Sequence, residues 1–281
     1  MNSSGVRIGS GQPRPEVAII GGSGMCTFPE LRELYRVRPT TRYGLPSDDI
    51  RVCEHQGVTV AFLPRHGVEH TIAPHRVPYK ANLTALRELG VGTVLATCIV
   101  GSLKKEIAPG SLVVPDQFVN MTWGRDDYTE QDGGGFLHLP MADPYCAVTR
   151  QAIVRSITDA GYSVVDRGTV AVIQGPRFST RAESEFYIRN GWDIVNMTQY
   201  PECYLARELG MCYGAIAAVT DYDVGVPSQL AMDSKHMERV LAVFRENVSK
   251  TKRAVLSFLE SYGTTTCECA RVVTDTYYAQ K

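Results

Sequence analysis

The segment Tyr213-Gly-Ala-Ile-Ala-Ala-Val-Thr220, followed by Asp221-Tyr222-Asp223, decides how this chain is interpreted. Its first eight residues are almost all apolar, which predicts a buried strand. A buried strand normally ends in turn residues, but this one ends in two carboxylates two positions apart. On an extended backbone that spacing places both side chains on one face, roughly 7 Å apart. Burying two acids is costly unless they meet a ligand, a metal or a cation, so we expect them to belong to a binding site.

The composition is that of an ordinary soluble globular domain. The 281 residues are 44% hydrophobic and 21% charged, and the formal net charge of −1 gives no reason to expect a nucleic-acid or membrane partner. Residues 1–16 are polar and contain no apolar core of a signal peptide, and no apolar run reaches the ~20 residues of a membrane span. We therefore expect a cytoplasmic protein with a disordered leader at 1–16, one domain at 17–262 and a tail at 263–281.

Strand and helix patterns alternate through the domain without a linker or a repeat. We expect strands at 17–20, 58–63, 92–99, 111–115, 168–174, 193–196 and 211–220, and helices at 77–89, 144–160, 202–209 and 236–262. A further helix should begin at a capping box formed by Thr180 and Glu183. This order predicts a single-domain α/β fold whose mixed, largely parallel sheet is flanked by helices on both faces. Polar clusters follow the strands, where open α/β sheets bind their ligands.

Three strand ends carry groups that suit an anion. The first strand runs into Gly21-Gly-Ser23-Gly24, a nest of backbone N–H groups that matches neither a dinucleotide fingerprint nor a P-loop. Arg65 and His66 follow the second strand, and the planar guanidinium of Arg65 is suited to phosphate. Thr198 offers a hydroxyl after the strand at 193–196. The alternatives are a surface salt bridge for Arg65 and local turn hydrogen bonds for Ser23 and Thr198.

Another set of residues suits a purine base. Asp221 and Asp223 can accept hydrogen bonds from an exocyclic amine and share a proton with a ring nitrogen, and Phe178 can stack on the ring. The alternative is that both acids are cap or loop residues. His138 lies in the segment 116–144, which is long for a loop and which we expect to form a lid near the site.

The eight cysteines are mostly scattered through apolar sequence, as expected for reduced thiols in a cytosolic core. Cys267-Glu-Cys269 is different, because it lies in the polar tail. Two surface thiols, a strained disulfide within the pair and a chance metal clip all remain open there. We do not expect a complete zinc site, because neither a histidine nor a second cysteine pair lies nearby in the sequence.

Taken together, these motifs resemble the trimeric purine nucleoside phosphorylase family, and within it the 5'-methylthioadenosine phosphorylases. The resemblance runs from Val17 to about Ser261. Its motifs are Gly21–Gly24, Leu63–Gly67 with His70, Gly101–Leu103, Val114–Phe118, Pro140–Pro144, Gln174–Ser179, Asn196–Thr198 and Thr220–Asp223. The resemblance implies the nucleoside phosphorylase type I fold and reversible phosphorolysis of an N-glycosidic bond. It also implies phosphate as co-substrate, no metal or other cofactor, and a homotrimer whose site is shared between subunits.

The resemblance also implies roles for individual residues. Asp221 and Asp223 would act on the base as the catalytic acids. The implied phosphate ligands are Ser23, Arg65, His66 and Thr198, and the implied contacts to sugar and base are Ile99, Val100, Gly101, Phe178, Ser179, Asn196 and Met197. His138 is similar to a histidine that a neighbouring subunit contributes at the 5' end of the substrate. A threonine that helps to bind phosphate in many relatives aligns with Cys98, which is a departure from the pattern.

Three positions bear on the choice of substrate. Ser179 and Asp221 stand where the 6-oxopurine enzymes carry glutamate and asparagine. An amide can donate to a 6-oxo group, whereas a carboxylate can only accept and therefore suits the 6-amino group of adenine. Met237 aligns where a histidine serves substrates with a free 5'-hydroxyl, and its thioether suits a methylthio group. A shift of the alignment by one residue would place His236 there and reverse that inference.

We therefore expect phosphorolysis of 5'-methylthioadenosine to adenine and 5-methylthioribose 1-phosphate, a reaction of purine and methionine salvage. One alternative is a phosphorylase for 6-oxopurine or other 5'-modified nucleosides, such as 5'-halogenated ones. The others are a hydrolytic nucleosidase and a nucleotide-binding regulator without catalysis.

Overall fold

An eleven-stranded sheet runs through the computed structural model, which describes residues 11–130, 135–227, 236–263 and 266–276. The strands are β1 (Val17–Gly21), β2 (Arg32–Val37), β3 (Ile50–His55), β4 (Val58–Pro64), β5 (Thr93–Ser102), β6 (Leu112–Val113), β7 (Gln117–Met121), β8 (Val164–Val165), β9 (Thr169–Ile173), β10 (Ile194–Asn196) and β11 (Cys212–Tyr222). The helices are α1 (Tyr79–Leu89), α2 (Ala147–Asp159), α3 (Arg181–Arg189), α4 (Gln199–Glu208), α5 (His236–Glu260) and α6 (Cys269–Thr276).

The sheet is mixed and largely parallel, which confirms the predicted fold class. Its main path is β2-β3-β4-β1-β5-β10-β9-β7, and β11 pairs with β5 along the whole length of β5. The β1–β4, β1–β5 and β5–β11 pairings are parallel, so these strands point their carboxyl ends at one edge. That shared edge brings loops that are distant in the sequence to one place.

Alternating side chains of the central strands divide the core between the two faces of the sheet. Ile20 and Leu63 face a cluster with α1, whereas Ile19 and Phe62 face a cluster that contains Phe258 of α5. Central strands that are buried on both faces need apolar side chains at every position. This is why β1, β4 and β11 were visible in the sequence as continuous apolar runs.

The β2–β3 hairpin was missing from the sequence-based prediction. β2 has an exposed or half-buried side chain at every position, and it lies at the end of the strand order. Charged residues cover it, with Arg32 paired to Glu54 and Arg36 paired to Glu33. Charges are common on edge strands because they discourage further strand pairing, and here they hid the strand pattern.

The two ends of the chain also differ from a plain leader and tail. Residues 1–10 lie outside the described part of the chain, but Pro15 is buried and the hydroxyl of Tyr35 donates to the carbonyl of Pro13 at 2.8 Å. The tail contains helix α6, which packs near Gly210. None of the described helices combines the length and apolar composition that a membrane span requires.

Candidate functional site

A cavity of about 570 Å³ lies where the carboxyl ends of β1, β4, β5, β9, β10 and β11 meet. Thirteen of the fifteen site residues that we expected line it: Ser23, Arg65, His66, Ile99, Val100, Gly101, Phe178, Ser179, Asn196, Met197, Thr198, Asp221 and Asp223. The fold therefore collects six separate sequence motifs around one space. The remaining two, His138 and Met237, are considered below.

The glycine loop after β1 lies against the backbone of β5. The N–H of Gly22 donates to the hydroxyl of Thr97 at 3.1 Å. A Cβ atom at Gly22 would lie 2.5 Å from the Thr97 carbonyl oxygen and 3.0 Å from Nη1 of Arg65. The loop thus needs glycine here for close approach, and Thr97 supports the loop while its neighbour Cys98 lines the cavity.

Arg65 is completely buried in the wall of the cavity, so the surface salt bridge considered from the sequence is wrong. Its Nε and Nη2 atoms donate to the two carboxylate oxygens of Glu202 at 2.6 and 2.7 Å, and Nη1 donates to the Thr97 carbonyl at 2.8 Å. The hydroxyl of Tyr213 donates to the same Glu202 carboxylate at 2.7 Å. Burial opposes the charge of Arg65, but attraction to Glu202 outweighs it and raises the pKa of Arg65. Arg65 is therefore a fixed cation whose Nη1 and Nη2 each keep a second N–H.

Two histidines stand beside this cation. Nδ1 of His66 donates to the carbonyl of Ile72 at 2.8 Å, which fixes the tautomer because a carbonyl can only accept. Burial, and then the charge of Arg65, lowers the pKa of His66 to about 4, so its Nε2 carries a lone pair at neutral pH. The ring of His70 lies 4.9 Å from that of His66, and its Nε2 is 3.4 Å from Oγ of Ser23. His70, which the sequence analysis named only as part of a motif, also lines the cavity and thus belongs to the site.

A short turn after β10 positions the threonine that we expected to bind phosphate. The side-chain oxygen of Asn196 accepts from the backbone N–H groups of Thr198 and Gln199 at 3.1 and 3.2 Å. The amide of Gln199 in turn donates to Sγ of Cys98 at 3.3 Å. Burial raises the pKa of Cys98 to about 11, so this residue is a protonated thiol at neutral pH.

The opposite part of the cavity is acidic. The hydroxyl of Thr220 donates to Asp221 at 2.6 Å, and the backbone N–H of Asp223 donates to the carbonyl of Ser102 at 2.8 Å. The β5–β11 register shifts between Val219 and Asp221, so a bulge directs this strand end. Asp221 and Asp223 line the same cavity, as their spacing predicted.

Two polar atoms in this part of the cavity have no partner among the described residues. They are Oδ2 of Asp223 and Oγ of Ser179, and both are buried. Buried polar atoms are normally hydrogen-bonded, so an unpaired acceptor and an unpaired hydroxyl beside a cavity indicate a polar ligand. Phe178 stands nearby with 81% of its surface exposed, where a flat ring could cover it.

His138 and Met237 are the two expected residues that the cavity does not gather. His138 is exposed and packs edge-on against Phe136, with ring centroids 5.0 Å apart, and it is absent from the cavity lining of its own chain. The side chain of Met237 falls outside the described residues. The sequence reasoning also missed Thr220 and Glu202, because neither stands out from the strand or helix that contains it.

One group of side chains suited to a metal ion occurs among the described residues, and it lies outside the cavity. It consists of Cys146, Cys212, Cys267 and Cys269, and all eight cysteines of the chain are free thiols. The expectation of two surface thiols is wrong for Cys269, which is buried. No second cysteine pair lies nearby in the sequence, but the fold brings Cys146 and Cys212 to Cys267 and Cys269.

Comparisons with known proteins agree with this geometry. The family model described as the phosphorylase superfamily matches residues 16–260. An S-methyl-5'-thioadenosine phosphorylase of Mycolicibacterium smegmatis is 49% identical, with 87% of this chain and 90% of that protein covered. A purine nucleoside phosphorylase of Streptomyces coelicolor is 42% identical, with 91% and 93% covered. Among solved structures, a variant of the Schistosoma mansoni adenosine/methylthioadenosine phosphorylase in complex with methylthioadenosine aligns with a TM-score of 0.86, 34% identity and coverage of 94% and 99%.

Proposed function

Since the chain belongs to the phosphorylase superfamily, we propose that it catalyses phosphorolysis of 5'-methylthioadenosine to adenine and 5-methylthioribose 1-phosphate. The observation that carries this proposal is the division of one cavity into a cationic part around Arg65 and an acidic part around Asp221 and Asp223. A phosphate ion and a nucleoside bound together complement both parts. The anion suits the cationic part, and the basic heterocycle on the sugar suits the acidic part.

The cationic part is suited to inorganic phosphate. Arg65 supplies a permanent charge and N–H donors, and the hydroxyls of Ser23 and Thr198 add further donors. A neutral His66 accepts at Nε2, which fits the P–OH group of monohydrogen phosphate. We assign these four residues to phosphate binding and add His70 as the partner that orients Ser23.

The acidic part is suited to adenine. Asp221, carrying or sharing a proton, donates it to N7 of the base, while the unpaired Oδ2 of Asp223 accepts from the 6-amino group. Phe178 covers the ring and Met197 contacts the sugar. The C1'–N9 bond then breaks, its electrons pass to the protonated base, and a phosphate oxygen forms the new bond to C1'. Positioning and electrostatics supply most of the rate enhancement in such a site.

Adenine is preferred over a 6-oxopurine because of the acceptors in the base pocket. A 6-oxo group would face the carboxylate of Asp223 and leave its buried oxygen without a donor, which strongly disfavours binding. The name of the Streptomyces coelicolor relative keeps a more general purine nucleoside phosphorylase as the second candidate.

We further propose a cytoplasmic homotrimer in which a neighbouring subunit completes each site. The segment that carries His138 exposes large apolar side chains, with Trp123 66%, Phe136 57% and Tyr128 45% exposed. Apolar surface of this kind is typical of an interface between subunits. A second copy of the chain packed there would bring His138 to the 5' end of the substrate.

The decisive experiment measures base release from 5'-methylthioadenosine, adenosine, inosine and 5'-methylthioinosine, with and without inorganic phosphate. We expect phosphate-dependent release of adenine, fastest from 5'-methylthioadenosine, and poor release from both 6-oxopurine nucleosides. Faster turnover of inosine would establish the second candidate instead. Release without phosphate would identify a hydrolase, and no release from any nucleoside would reject the enzymatic proposal.

A further inference from the structure

Four cysteines from three separate segments meet at one point far from the cavity. Cys146 caps α2, Cys212 begins β11, Cys269 is the first residue of α6, and Cys267 lies two positions before it. Their four Sγ atoms all lie within 4.8 Å of one another, and those of Cys212 and Cys267 are 3.0 Å apart. Half of the chain's cysteines therefore share one small volume.

This arrangement matches the ligand set of a structural zinc ion. With Zn–S bonds of about 2.3 Å, the sulfur atoms of a tetrahedral four-thiolate site lie about 3.8 Å apart. The observed spread brackets that separation, so only small side-chain movements are needed to enclose an ion. Cys146 and Cys269 are buried while Cys212 and Cys267 are half-buried, which leaves a route for the ion from solvent.

The cysteine cluster lies too far from the cavity to take part in the chemistry there. Cys212 pairs with Thr93 at the amino end of β5, and Asp221 lies nine residues further along β11, or about 30 Å at the rise of a strand. Four cysteine ligands also leave no open coordination position, which is typical of structural rather than catalytic zinc.

The segment that the cluster fastens has little to hold it otherwise. Helix α6 has eight residues, and isolated helices of that length are unstable in water. Its Ala270 and Val273 approach Gly210 at the end of α4, and Cys269 is its one buried side chain among those described. A bond from Cys267 and Cys269 to α2 and β11 would tie α6 to the centre of the sheet.

We propose that Cys146, Cys212, Cys267 and Cys269 form a tetrahedral four-thiolate site for Zn²⁺ that fastens the C-terminal helix to the domain. Binding releases four thiol protons, one per ligand, and requires no oxidant. The site stabilises the folded chain without taking part in turnover.

The first test uses the full-length chain without a metal-binding tag, purified under reducing conditions and reconstituted with Zn²⁺ alone. Elemental analysis should find one zinc per chain, and Co²⁺ in its place should give the intense thiolate-to-metal absorption and the visible bands of tetrahedral sulfur coordination. Absence of stoichiometric zinc, or a Co²⁺ spectrum without thiolate bands, would overturn the proposal. So would an intact mass lower by two hydrogens per cysteine pair in protein purified without a reductant, since that identifies disulfides.

The second test compares C267S/C269S with the control C53S, in which a buried cysteine outside the cluster is replaced. The double variant should lose the zinc and melt at a lower temperature, while C53S keeps one zinc per chain. A chelator should lower the melting temperature of the native protein but not that of C267S/C269S. Equal chelator sensitivity in both would contradict the assignment.

Discussion

The two ends of β11 use polar side chains in different ways. At the carboxyl end, Asp221 and Asp223 face a cavity, and Oδ2 of Asp223 has no partner among the described residues. At the amino end, Cys212 lies beside three other cysteines, and the four thiol groups contact one another. One end is left incomplete for a ligand, whereas the other needs only an ion to be satisfied. A strand of eleven residues is long enough to keep the two tasks apart, so activity and stability should respond to different substitutions.

The strongest test of this separation is Asp221→Asn. The amide cannot supply the proton to N7, so we expect turnover of 5'-methylthioadenosine to fall by on the order of 10²–10⁴. The melting temperature should stay near that of the native protein, because asparagine keeps the shape and can still accept from Thr220. Steady-state kinetics with thermal unfolding measures both effects. The control is Asp166→Asn, an exposed residue remote from the cavity, and unchanged turnover in Asp221→Asn would remove this acid from the mechanism.

Glu202→Gln should change activity and stability together, because Glu202 serves both the cavity and the core. The change leaves Arg65 buried without its counter-charge, a situation that costs about 3–5 kcal/mol of the free energy of unfolding. The KM for phosphate should rise as well, since the guanidinium loses the contacts that orient it. Urea denaturation and phosphate kinetics give the two readouts.

The matched control for Glu202→Gln is Glu246→Gln, which breaks a surface pair between the exposed Glu246 and the half-buried Lys250. That pair is worth roughly 0.3–0.5 kcal/mol. A similar small loss for Glu202→Gln would show that the buried pair does not organise the cationic part of the cavity.

The pH dependence of stability isolates His66. Its pKa in the folded chain, about 4, lies below the ordinary value of 6.5, so the unfolded chain binds more protons between these values. The contribution of neutral His66 is therefore present above pH 6.5 and is lost as the pH falls towards 4, by up to about 3 kcal/mol at ~1.4 kcal/mol per pKa unit.

Replacement of His66 by glutamine should flatten the free energy of unfolding across that pH range. The control is His55→Gln, which replaces a histidine outside the cavity lining and measures the effect that a histidine-to-glutamine change has by itself. An unaltered slope in His66→Gln would assign the acid sensitivity to other groups.

The smallest effect concerns the start of α3, which carries the base-facing loop. The hydroxyl of Thr180 accepts from the N–H of Glu183 at 3.2 Å, and the Glu183 carboxylate accepts from the N–H of Thr180 at 2.7 Å. Thr180→Ala should cost about 1 kcal/mol of stability. Because Ser179 is the preceding residue, we also expect a modest rise in the KM for the nucleoside. Thr158→Ala, in the last turn of α2, is the control and should be nearly neutral.

The sequence predicted the features that follow from hydrophobic periodicity and from local turn and capping residues. Apolar runs located β1, β4, β5 and β11, and the predicted capping box at Thr180 and Glu183 is present. The polar groups after those strands gathered as expected, because parallel strands deliver their ends to one edge.

What the sequence concealed depends on contacts between distant residues. Glu202 sits in an ordinary helix pattern, and nothing local indicates that its carboxylate neutralises Arg65 across 137 positions. The cysteine cluster was hidden for the same reason, since Cys146 and Cys212 are separated from Cys267 by long stretches of chain. His138 shows a further limit, because its proposed role in a neighbouring subunit's site predicts no contact with the cavity of its own chain, and the cavity lining does not include it.

Gly22 places a constraint on how this chain can diverge. Its position next to the Thr97 carbonyl means that even alanine would require the glycine loop to move away from β5, whereas a Cβ at Gly92 would meet only the Glu16 carbonyl at 3.9 Å. In a library of random substitutions, position 22 should tolerate almost nothing and position 92 a range of residues. Substitutions can therefore accumulate over much of the surface while the close contact between the glycine loop and β5 is retained.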